Sequence, residues 1–75
     1  MNPPKPVTIE LEVTEFPTAR EAVEHARRHG GRAIRLGGRN LVVRDQDAEW
    51  LVTARVEFAY LCDHHGQIVT VPVNG

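Results

Sequence analysis

Residues Thr18 to Arg44 read TAREAVEHARRHGGRAIRLGGRNLVVR, and the rest of the chain is organised around them. Pro17-Thr18-Ala19-Arg20-Glu21 is a helix start: the Thr18 hydroxyl can accept from a free amide of the first turn, with Glu21 three residues on. Glu21 and Glu24 fall near the positive end of the helix dipole, and Arg27, Arg28 and His29 near the negative end. Gly30-Gly31 then closes the helix. Ala19, Ala22, Val23 and Ala26 recur at the spacing of one helical face. Such small residues bring a helix close to a sheet, and Ile34, Leu36, Leu41 and Val43 are the expected partners. Arg32–Leu36 and Leu41–Arg44 read as short strands, joined by a turn over Gly37-Gly38-Arg39-Asn40.

Upstream, residues 1–6 hold three prolines and little to bury, which predicts a flexible arm before a single domain over residues 7–75. Val7, Ile9, Leu11 and Val13 alternate with Thr8, Glu10 and Glu12, the pattern of a half-buried strand. Phe16 is expected to pack at the helix entrance. Downstream, Asp45–Glu49 reads as an acidic loop. Trp50–Leu61 reads as a long strand, with Val52, Ala54, Val56, Phe58 and Tyr60 at every second position. Asp63-His64-His65-Gly66 makes a turn, and Gln67–Val73 returns as a strand whose Pro72 marks it as an edge. The expectation is an α+β domain in the order β-α-β-β-β-β, one helix packed on a mostly antiparallel sheet. Leu51, Ala59 and Leu61 would lie on the other face, either solvated or covered by a second copy.

Composition narrows the function classes more than it selects one. Seventy-five residues, 41% hydrophobic and 25% charged with a formal net charge of −1, make one small domain with a thin core. Dimerisation is a natural way to bury more. No apolar run approaches the roughly 20 residues of a membrane span, and the proline-rich start has none of the pattern of a secretory signal. A cytoplasmic, bacterial protein is the expectation. One cysteine excludes an internal disulfide.

Charge is the feature that points to a contact surface. Seven of the nine basic residues (Arg20, Arg27, Arg28, Arg32, Arg35, Arg39 and Arg44) fall in the central third, opposed there by Glu21 and Glu24 alone. Arginine presents a planar fork of donors that fits carboxylate and phosphate oxygens. Arg27, Arg28, Arg32, Arg35 and Arg39 are therefore the candidate surface for an acidic partner or nucleic acid. The plainer reading is a solvated rim paired with Glu10, Glu12, Asp45, Asp47 and Glu49. The overall charge is not basic, and no nucleic-acid-binding signature or row of stacking aromatics is present.

Two further clusters carry less. His25 and His29 stand one helical turn apart, and Cys62 and His64 one residue apart in the last turn, residue types that zinc takes. No paired-cysteine or His-Glu-x-x-His spacing supports a metal site, so none is assigned and no cofactor is expected. Cys62 with Asp63, His64 and His65 also contains the residues of a thiolate–imidazole pair, but neighbours at a strand end point in different directions. The sequence thus favours a non-enzymatic binding or regulatory domain acting through protein contacts or self-association, ahead of a nucleic-acid-binding module.

Overall fold

A computed structural model describes residues 13–75. The proposed arm, and all of the expected first strand Val7–Val13 except Val13, lie outside these. The described chain runs β1 (Val13–Phe16), α1 (Ala19–His29), β2 (Arg32–Leu36), β3 (Arg39–Val43), α2 (Asp45–Thr53), β4 (Phe58–Cys62) and β5 (Ile68–Val73). The five strands form one antiparallel sheet in the order β1-β3-β2-β4-β5. The α+β class and the packing of helix on sheet are as the sequence predicts.

Helix α1 has the ends its sequence specifies. Thr18 Oγ1 accepts from the Glu21 amide at 3.2 Å, and the Gly30 amide returns to the Ala26 carbonyl at 2.9 Å. The β2–β3 hairpin is tighter than expected. Leu36 pairs with Arg39 across a two-residue turn, Gly37-Gly38, whose φ angles of 58° and 77° suit glycine. Gly31 is needed for another reason: a Cβ there would stand 2.6 Å from the Val43 carbonyl oxygen.

The alternation of the strands divides the core in two, and here the expected partners of α1 change. Ala22 and Val23 of α1 pack on Ala33, Val42 and Leu61, with Phe16 and Cys62 at the margin. Ile34, Leu41 and Val43, with Leu36 beside them, point to the opposite face. A one-position shift in a strand exchanges faces, and a helix built of alanines takes the smaller set. Ala59 and Leu61 are likewise buried rather than solvated.

The opposite face has its own cover. Asp45–Thr53, expected as a loop leading into a long strand, is helix α2, and Ala48 and Leu51 close over Ile34, Leu41, Val43 and Phe58. Arg44 and Asp47 make an ion pair at 2.8 Å across its first turn, which accounts for Asp47 being buried. Arg55, at φ 60°, ends the helical segment, so only Phe58–Cys62 remains as strand. Among the described residues strand β5 pairs with β4 alone, Pro72 opposite Ala59, at the sheet edge as Pro72 predicts.

Candidate functional site

The five candidate arginines do not share one surface. Arg32 opens β2, and its guanidinium carbon lies 4.5 Å from the centroid of the Tyr60 ring, a cation–π distance. Arg27, in the last turn of α1, donates through Nη2 to the Gly66 carbonyl and so ties the helix to the β4–β5 turn. Between these two arginines is a cleft of about 350 Å³. It exists because the β2–β4 ladder pairs only Ile34 with Tyr60 and Arg35 with Ala59, leaving the start of β2 and the end of β4 apart beneath the end of α1. Val23, Ala26 and Ala33 give it an apolar floor, and His64 joins the arginines at its rim.

Arg28, Arg35 and Arg39 lie elsewhere. Arg28 borders a hollow of about 260 Å³ on the other flank of α1, with Phe16, His25 and His29. Arg35 donates through Nε and Nη2 to Asn40 Oδ1 at 3.3 and 3.2 Å, and the Asn40 amide donates to the Pro17 carbonyl at 3.3 Å. That chain of bonds fastens the hairpin to the entrance of α1. Arg39 stands 3.8 Å from Glu15 on the face that α2 covers, both side chains largely in solvent. An exposed pair of this kind contributes about 0–1 kcal/mol.

The metal-ligand candidates divide in the same way. The His25 and His29 rings are 4.6 Å apart, and His25 leans on Phe16 at 4.9 Å. Cys62 and His64 line the cleft on the other flank. Among the described residues no three His, Cys, Asp or Glu side chains are placed to share an ion. The Cys62 thiol donates to the Asp63 carbonyl at 3.5 Å, and the His64 and His65 rings lie against each other at 4.0 Å. Asp63 is a turn-former: its Oδ1 accepts from the His65 and Gln67 amides, both at 2.9 Å.

A feature the sequence reading passed over is the surface of β5. Ile68, Val69 and Val71 are 41%, 37% and 39% exposed, half of the large exposed hydrophobics among the described residues. The others are Val13 on β1 and Trp50 and Val52 on α2. The signal was present in Ile68-Val69-Thr70-Val71-Pro72-Val73, an apolar run too dense for a strand with a wet face.

No family model matches the chain, and neither the curated proteins nor the solved structures hold a significant match to it. No helix among the described residues is long and apolar enough to cross a membrane.

Proposed function

We propose that this chain is a small cytoplasmic binding module, without catalysis of its own, that works through protein–protein contacts made by β5, a second copy of the chain being the first partner. The supporting observation is the apolar surface of an edge strand: Ile68, Val69 and Val71 of β5 expose 37–41% of their surface, spread over both of its faces. A net charge of −1 puts little repulsion between two copies. Pro72 brings no amide proton to the strand, so side chains rather than a continuous backbone ladder carry the contact.

Nucleic-acid binding has less support, since Arg28, Arg35 and Arg39 diverge and Arg35 is engaged with Asn40. It requires amide shifts over residues 27–39, on adding a short duplex or single strand, that fade as salt rises.

Sedimentation equilibrium from micromolar to millimolar chain tests the proposal. The expected result is a reversible dimer that Val71→Lys returns to monomer while Val13→Lys does not. A monomer throughout, or a dimer indifferent to Val71→Lys, would overturn it.

A further inference from the structure

We propose that the cleft between α1, the start of β2 and the end of β4 is a binding site for a small organic anion, one with an oxyanion head and a compact apolar body. Its two guanidiniums carry the inference. Arg27 donates to a neutral carbonyl, that of Gly66, and Arg32 rests on the neutral ring of Tyr60. Neither has a carboxylate partner among the described residues, whereas Arg39 has Glu15 and Arg44 has Asp47. Both residues border one opening, Arg27 from α1 and Arg32 from the start of β2, beside Tyr60 and short of the β2–β4 ladder that Ile34 begins, and their planar forks suit carboxylate or phosphate oxygens.

Two of the remaining groups at the cleft oppose an anion, and the apolar floor selects its body. Asp63 also lines the cleft, its negative charge held in the turn by the His65 and Gln67 amides that donate to its Oδ1. The carbonyl end of α1 opposes an anion, although the Ala26 carbonyl already accepts from Gly30. Val23, Ala26 and Ala33 form a floor that an inorganic ion would leave uncovered. A volume of about 350 Å³ falls at the lower end of small-ligand sites, which run from roughly 300 to 1,000 Å³. That suits a body of about one ring. Carboxylates and phosphate monoesters share this chemistry.

The single cysteine of the chain, Cys62, lines the cleft, so its rate of reaction with a maleimide reports occupancy. Phenyl phosphate and benzoate serve as probes, with benzyl alcohol as the neutral counterpart and inorganic phosphate as the head alone. At least one of the two organic anions is expected to slow the labelling of Cys62 in a saturable way and to move the amide signals of Arg32, Ala33 and His64. Benzyl alcohol should do neither, and inorganic phosphate should bind more weakly. Arg32→Gln, an exposed change that breaks no backbone contact, should weaken binding by about tenfold, as loss of one charge-assisted hydrogen bond does. Arg27→Gln should act likewise, and Arg28→Gln, on the other flank, should leave it unchanged. Equal protection by benzyl alcohol would overturn the proposal, as would no protection by either organic anion or undiminished affinity in Arg32→Gln. Equal binding of inorganic phosphate would overturn the assignment of an apolar body.

Discussion

Asn74 follows β5 and holds α2 in place. Its side-chain amide donates to the Val52 and Val56 carbonyls at 3.1 and 3.2 Å, with Leu51 further off at 3.5 Å. These carbonyls stand at and just beyond the end of α2, where Leu51 and Val52 also accept from the Val56 and Arg55 amides of the break. Asn74→Ala should cost about 1–2 kcal/mol, read from urea unfolding followed by Trp50 fluorescence. A change below about 0.3 kcal/mol would mean that water replaces the amide without loss. Gly31 offers a sharper contrast, because it and Gly30 both have positive φ (91° and 86°) but only Gly31 is crowded. Gly30→Ala should cost about 1–2 kcal/mol of backbone strain. Gly31→Ala should cost roughly 1–3 kcal/mol more, since the Val43 carbonyl 2.6 Å from the new Cβ belongs to a central strand that cannot give way cheaply. Equal losses in the two unfolding curves would show that conformation alone matters.

Helix α2 is the element that the sequence disguised, and α1 the one it displayed. α1 has a capping threonine, acids then bases along its length, and a glycine stop, all of which agree. α2 has nine residues, no side-chain cap and only Asp47, Ala48 and Leu51 buried. Against so weak a helical period stood the alternation of Val52, Ala54, Val56, Phe58 and Tyr60, with valine, tryptophan and threonine favouring strand. The legible trace was Asp45 and Asp47 in the first turn, where the dipole favours acids. The two readings place opposite residues inside: a strand buries Val52, whereas the helix buries Leu51 and leaves Val52 39% exposed. Leu51→Ala should therefore cost about 2–4 kcal/mol and Val52→Ala less than about 1 kcal/mol. The reverse order in thermal or urea unfolding would restore the strand. Arg55, forced to φ 60° at the break after α2, gives a further check. Arg55→Gly should stabilise by about 0.5–1 kcal/mol rather than weaken the fold.

The sheet is sandwiched between two helices that each cover one core, α1 over Val42 and Leu61 and α2 over Ile34 and Phe58. The architecture was legible because hairpin, glycines and Pro72 mark strands and edges locally. The candidate site was legible only in part, because which arginines meet depends on pairing that no local signal fixes. Arg32 and Arg35 fall on opposite faces of β2, and the two-residue turn carries Arg39 to the face of Leu36. Three of the six large exposed hydrophobics among the described residues lie on β5, and the proposed contact follows from them. The most direct test is a dilution series of isotopically labelled chain, followed amide by amide. Concentration-dependent shifts should gather on Ile68–Val73, with α1 unchanged and the effect abolished by Val71→Lys. Shifts centred on α1, or a spectrum independent of concentration, would contradict it.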